Sequence, residues 1–256
     1  MRPNAQSTET DVSAIYESDK LVAEYLLFHY GAADEILPPG IDWPAGMRAA
    51  LDFAVRTVRY FETGTVTRGL DLGCAVGRST CEMSRTCDEV VGIDFSHAFI
   101  AAANRLREGE PVLYERREEA ARTTQLEARL PEGIATDRLR FAQGDAMNLP
   151  EDLGAFDRVH AANLLCRLPA PMRLLRRLPA LVKPGGELVI ATPCTWLEEF
   201  TPPANWPANG TFEWLCELLG VDFELVRQTD EPFLIRETAR KFQWTTSLVT
   251  VWRRHG

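Results

Sequence analysis

The chain has 256 residues, with 28 Lys and Arg against 37 Asp and Glu and a net charge of −9. Hydrophobic residues make up 45% and charged residues 25%, which excludes wholesale disorder and leaves ample apolar side chain for one α/β domain of this length. An acidic surface repels phosphate backbones, and no apolar run approaches the roughly 18 residues of a membrane span, so the expected partner is a small molecule, not nucleic acid or a membrane.

Residues 1–15 read as a disordered polar leader without the apolar stretch of a signal peptide. From Ser18 to Tyr30, Leu21, Val22, Tyr25, Leu26 and Phe28 recur at helical spacing, with Ser18 as the N-cap and Gly31 as the stop. Pro38, Pro39, Gly40 and Pro44 mark a loop, and a second helix is predicted over 45–61. Short apolar runs then alternate with helices. Strands are predicted at 68–72, 89–94, 139–143, 156–161 and 187–192, with helices opening at Gly77 and Ser96 and another spanning 170–182. This alternation predicts βαβ units and a parallel sheet. The charged stretch 115–130 reads as an exposed helix or an insertion. Beyond Pro193, the runs 223–227 and 243–252 suit an antiparallel pair that closes the sheet. With no linker in the chain, residues 16–256 are expected to form one domain. Its parts are a helical cap (16–64), a ligand-binding core (65–193), and a substrate-side loop with the closing strands (194–256).

Six cysteines without a C-x-x-C pair and four scattered histidines make neither a disulfide framework nor a metal site. Reduced thiols in a cytoplasmic protein are the expectation. The informative stretch is Arg68-Gly-Leu-Asp-Leu-Gly-Cys-Ala-Val-Gly77, a strand running into a glycine turn and a helix. Gly73 and Gly77 allow a tight turn and close approach of a ligand. Residue 75 is Ala, so the G-x-G-x-x-G dinucleotide fingerprint is absent. Asp71 would repel a pyrophosphate and attract a cation. Asp94 ends the next strand, where a carboxylate can accept both hydroxyls of a ribose. Gly144-Asp145 ends another, placed for an adenine amino group, and Lys183-Pro-Gly-Gly186 opens the strand after that.

In this order and spacing the set resembles the plan of class I S-adenosylmethionine-dependent methyltransferases, with Ala75 departing from the commonest glycine pattern. That resemblance implies a Rossmann-like, mostly parallel seven-stranded sheet with helices on both faces and an N-terminal helical lid. A closer resemblance is to the 4-mercaptohistidine (5-thiohistidine) N-methyltransferase family of ovothiol biosynthesis. It is carried by YESDKLVAEYLLFHYG (16–31), DLGCAVGRS (71–79), GIDFSH (92–97), ANLLCRLP (162–169), TWLEEFTP (195–202) and PFLIRETARKFQW (232–244). The first and the last two belong to no general methyltransferase motif. Pro193-Cys194 and Met147 are small departures from the family pattern.

The resemblance implies methyl transfer from S-adenosylmethionine to an imidazole nitrogen of 4-mercaptohistidine, giving ovothiol A. The alternative is a class I methyltransferase acting on another small molecule. The implied cofactor residues are Asp71, Gly73, Cys74, Gly77, Arg78, Asp94, Phe95, Ser96, Gly144, Asp145, Ala146, Asn163 and Leu164. Candidate substrate residues are Tyr16, His29, Tyr30, Trp196, Glu198, Glu199, Arg236, Arg240 and Lys241. Asn163 and Tyr30 are the catalytic candidates, with Tyr30 as a core tyrosine left open. The fused relatives carry an iron-dependent sulfur-inserting domain with clustered histidines. Here His29, His97, His160 and His255 are isolated, so this chain is expected to depend on a separate iron-dependent sulfoxide synthase and a lyase for its substrate.

Overall fold

A computed structural model describes residues 15–256. The leader expected over 1–15 lies, apart from Ile15, outside the described residues. Helix α1 (Asp19–Tyr30) begins as its sequence requires, with the Ser18 hydroxyl accepting the Leu21 N–H, and ends with the Gly31 N–H on the Leu27 carbonyl. Its buried side is Ala23, Leu26 and Leu27. A short turn, α2 (Ala33–Ile36), follows.

The single helix expected over 45–61 is two short ones, α3 (Ala45–Ala49) and α4 (Phe53–Val58). Asp52 between them adopts φ 58°, a left-handed conformation that Asp tolerates better than most residues and that no helix interior can contain. The break lets α3 meet the edge of the sheet, where the Trp244 indole donates to the Gly46 carbonyl at 3.2 Å. Phe53 of α4 meanwhile joins the core beside Met83, Val90 and Phe233.

The central sheet has seven strands: β1 (Val66–Leu72), β2 (Cys87–Asp94), β5 (Leu139–Gln143), β6 (Phe156–Ala162), β7 (Val182–Thr192), β8 (Phe223–Arg236) and β9 (Phe242–Arg254). Their order is β5-β2-β1-β6-β7-β9-β8. The first five pair parallel, and β9 and β8 close the sheet antiparallel, as the sequence indicated. Helices α5 (Arg78–Met83), α6 (His97–Arg107), α7 (Pro171–Leu181) and α8 (Thr211–Leu219) complete the fold. From β1 the chain winds outward to β5 and then restarts at β6 on the other side of β1. That reversal opens a crevice above the carboxyl ends of β1 and β6, where ligands bind in such sheets.

Residues 115–130 form no helix. Strands β3 (Val112–Glu119) and β4 (Arg122–Ala128) make a separate antiparallel hairpin turning at Ala120 (φ 52°). The residues alternate with period two: Val112 and Tyr114 are buried while Leu113 and Glu115 face solvent. The hairpin braces the cap, since Arg116 donates to the Glu35 carbonyl and Glu118 pairs with Arg236 on β8.

One buried ion pair joins the cap to the sheet. Arg158 on β6 meets Glu187 on β7 at 3.2 Å and also donates to Thr86 Oγ1 and the Glu62 carbonyl, while Glu187 accepts the Glu62 N–H at 2.9 Å. Removing one partner strands the other charge, so Glu187→Ala should lower unfolding free energy by about 3 kcal/mol in denaturant titration. A loss below about 1 kcal/mol would mean that Arg158 finds water instead.

Among the described residues, no helix is long and apolar enough to cross a membrane, and no cluster of His, Cys, Asp and Glu has the make-up of a metal site. All six cysteines are free, with Cys194 exposed and Cys74, Cys81, Cys87 and Cys166 buried.

Candidate active site

The chain leaves β1 through a turn that only a few residue types can make. Gly73 has φ 69°, Ala75 48° and Gly77 88°. A Cβ on Gly73 would sit 3.1 Å from the Leu164 side chain, and one on Gly77 2.7 Å from the Phe141 ring. Ala75 takes the left-handed conformation at a cost of about 1 kcal/mol, its methyl group buried. The Gly73 and Cys74 N–H groups both donate to the Ile93 carbonyl, fastening the loop to the end of β2.

Asp94 ties the same two segments together. One oxygen accepts the Ala75 N–H and the other the Ser96 N–H, each at 2.9 Å. Burial pushes its pKa up to about 6, against the pull of those two N–H groups, and the negative charges of Asp71 and Glu17 add to the rise. Beside it Phe95 is 50% exposed, its carbonyl held by the Gln143 side chain at 3.0 Å. Asp145 accepts the Met147 N–H, Gly144 donates to the Asp94 carbonyl, and Ala146 is buried against the core. Asn163 follows β6 with φ 55°. Its N–H donates to Ala191, and its side-chain oxygen accepts Ser247 Oγ at 2.7 Å.

The cap closes over this edge. The Tyr16 carbonyl accepts the Ser96 hydroxyl, and the Glu17 carboxylate accepts the His97 and Ala98 N–H groups at 2.8 and 3.0 Å, at the N-terminus of α6. The Tyr16 ring lies against Phe99 and Phe200. Burial pushes its hydroxyl pKa up, and the Arg167 guanidinium beside it pulls the other way.

Several expected roles change. Asp71 was to face a cationic ligand, but it is 1% exposed, with one oxygen on His160 Nδ1 at 2.8 Å and the other accepting Thr80 Oγ1 at 2.7 Å. It is a buried tie between β1, β6 and α5. The Tyr30 hydroxyl donates to the Val76 carbonyl at 2.9 Å and burial drives its pKa well up, so it braces the glycine loop, the core role left open in the sequence. His29 packs against Phe28 and Tyr25 with Nδ1 unpartnered. Burial lowers its pKa to about 3, with Asp71 opposing and Arg78 adding to the fall, which keeps the ring neutral. Arg78 is paired with Glu82, and Cys74 is buried.

The basic residues expected to hold a substrate carboxylate are set apart from the crevice. Arg236 is 4% exposed, bound to Glu118 and the Glu35 carbonyl. Lys241 pairs with Glu237, and Arg240 lines an open cleft against the hairpin with Arg116 and Arg122. On the loop after β7, Glu198 and Glu199 are exposed, while the Trp196 indole donates to Thr211. Sequence reasoning missed Glu17, Ser247 and Arg167. Glu17 lay inside the quoted stretch 16–31, and Arg167 inside 162–169, five residues beyond the end of β6.

Residues 70–190 match the family described as Methyltransferase domain. The fold is that of the class I methyltransferases. The N-methyltransferase NodS of Bradyrhizobium japonicum aligns over 79% of this chain and 93% of its own, with TM-score 0.52 and 17% identity. The [4+2]-cyclase SpnF aligns over 97% and 98%, with TM-score 0.60 and 17% identity, so the fold alone does not fix a reaction. In sequence, demethylmenaquinone methyltransferase of Clavibacter sepedonicus is 28% identical over 201 residues, 77% of this chain and 64% of its own length. A ubiquinone biosynthesis O-methyltransferase of Pseudomonas aeruginosa is 31% identical over 124 residues, 48% and 43% of the two. The chain therefore spans less than two thirds of the length of these relatives.

The crevice residues fit S-adenosylmethionine. Phe95 offers an exposed aromatic face beside the glycine loop, and a carboxylate that uses two acceptor sites on N–H groups keeps about two more for ribose hydroxyls. Because burial raises the Asp94 pKa to about 6, cofactor affinity should hold above that pH and fall below it, approaching tenfold per unit as the carboxylate protonates. Asp94→Asn should bind weakly at every pH. Calorimetric titration between pH 5 and 8 checks this, and an unchanged affinity at pH 5 would remove Asp94 from the ribose site.

Proposed function

We propose that this protein is an S-adenosylmethionine-dependent N-methyltransferase whose acceptor is the imidazole ring of 4-mercaptohistidine and whose product is ovothiol A. The acceptor reading rests on one observation above others. Segments 16–31 and 195–202, which carry the resemblance to the thiohistidine enzymes and belong to no general methyltransferase motif, meet over the crevice. Tyr16 of the first packs on Phe200 of the second with ring centroids 6.4 Å apart.

The cofactor supplies a methyl group activated by the positive charge on its sulfur. Gly73, Gly77, Asp94, Phe95 and Asp145 are the residues that would hold it. This chain's part is then to position and desolvate the acceptor. Asn163 follows the end of β6 with its side-chain oxygen fixed by Ser247, and its amide NH2 would orient the imidazole. Tyr16 and Phe200 exclude water from above. Holding the nitrogen lone pair in line contributes several kcal/mol without any charged catalyst. No strong base is required, because a neutral mercaptoimidazole can carry its proton on sulfur or on the other nitrogen and leave the attacking nitrogen free.

Purified protein supplied with S-adenosylmethionine should methylate 4-mercaptohistidine on the ring nitrogen nearest the side-chain stem and leave histidine nearly untouched. Mass spectrometry with NMR assignment of the methyl position reads the result. Turnover on unrelated acceptors with none on 4-mercaptohistidine would overturn the assignment.

A further inference from the structure

Arg167 closes the one-turn helix Leu165–Arg167 that follows β6, at the carboxyl edge of the sheet. Its backbone is anchored by the buried Leu165 and Cys166. Its guanidinium is held in place by neutral groups only. Nη1 donates to the Thr195 carbonyl at 2.9 Å and to the Cys166 carbonyl at 3.2 Å, and Nη2 donates to Thr195 Oγ1 at 3.1 Å. The plane sits 4.7 Å from the centroid of the Phe200 ring. Among the described residues, no carboxylate lies within 4.0 Å of it. The guanidinium is thus fixed in one orientation yet carries no compensating charge, in a chain whose net charge is −9.

The pattern of used donors is specific. Nη1 is saturated and Nη2 has one bond, and among the described residues Nε–H and the second Nη2–H along one edge meet no acceptor other than the Tyr16 hydroxyl. Those two parallel donors match the two oxygens of a carboxylate. The Tyr16 hydroxyl lies against the same guanidinium, and Tyr16 is close enough to feel the charge of Asp94 at the ribose end of the crevice. Arg167 therefore faces the space between the cap and the acceptor side of the sheet.

We propose that Arg167 receives the α-carboxylate of the substrate through its Nε and Nη2 edge, with the Tyr16 hydroxyl as a further donor, so that the site selects amino acids over the corresponding amines. The proposal rests on the reading of the acceptor as an imidazole amino acid and deepens it. It replaces Arg236, Arg240 and Lys241 in that role, since Arg236 and Lys241 are neutralised by Glu118 and Glu237 and Arg240 lies with the hairpin. It also gives segment 195–202 a task, because Thr195 and Phe200 aim the guanidinium.

The test compares 4-mercaptohistidine with the amine that lacks only its carboxyl group. Binding of each is measured by calorimetry on the full chain loaded with S-adenosylhomocysteine, for the native protein, Arg167→Gln and Arg167→Lys. The native protein should prefer the amino acid by about 30-fold, as expected for a charge-assisted bidentate contact. Arg167→Gln should erase that preference and leave S-adenosylhomocysteine affinity within about twofold, and Arg167→Lys should restore part of it. Equal binding of acid and amine by the native protein, binding of neither, or a preference that survives in Arg167→Gln overturns the proposal. Native turnover, read in parallel, judges the reaction separately. An Arg167-dependent preference without methylation sustains the carboxylate site and contradicts the acceptor reading.

Discussion

Everything at the carboxyl edge of the sheet depends on a left-handed turn that must be made in a space about one methyl group too small for most residues. Between Leu72 and Arg78 the backbone takes positive φ at Gly73, Ala75 and Gly77, with Leu164 packed close on Gly73 and Phe141 on Gly77. The loop cannot relax outward, because Gly73 and Cys74 hang on Ile93 and Ala75 hangs on Asp94. One carboxylate thus fixes the loop and, through Ser96, the start of the next helix. The same carboxylate carries a raised pKa because so much protein surrounds it. Binding capacity and local strain come from the same packing.

Around that turn, polar groups are divided between sealing and serving. Asp71 spends both oxygens on His160 and Thr80, and Tyr30 spends its hydroxyl on Val76. Such fully engaged groups make the floor of the crevice rigid, since leaving any of them unpaired in the interior costs about 1–3 kcal/mol. The groups above the floor are less committed. Phe95 is open to solvent, and Arg167 is aimed by neutral acceptors. Glu17 on the α6 amides and Tyr16 against Phe200 hold the N-terminal segment across the ends of the strands.

Much of the parallel core was legible because a buried strand and an amphipathic helix each leave a strong pattern. The Ser18 cap, the helix start at Ser96, the strand ends at Asp94 and Gln143, and the closing antiparallel pair all followed from short-range rules. The failures share a cause. The 45–61 helix breaks at Asp52 because α3 and α4 serve different surfaces, a tertiary demand that helical spacing does not reveal. The hairpin went unread because Arg116 and Glu118 occupy inward positions normally marked by apolar residues, so its period of two was hidden by charge. Within the site, the acids and glycines could be placed by their order along the chain. Which of them are spent on one another could not, because Asp71 meets His160 and Arg236 meets Glu118 only once the sheet and hairpin are assembled. Arg167 stands out only in the assembled structure, where no carboxylate among the described residues pairs with it.

The most direct measurement is a crystal structure of the protein with S-adenosylhomocysteine and 4-mercaptohistidine bound together. The expected result has the ribose hydroxyls on Asp94, the adenine beside Phe95 and Asp145, and the imidazole at Asn163. A cofactor seated away from the 73–77 loop, or an acceptor ring that does not reach the end of β6, would contradict it.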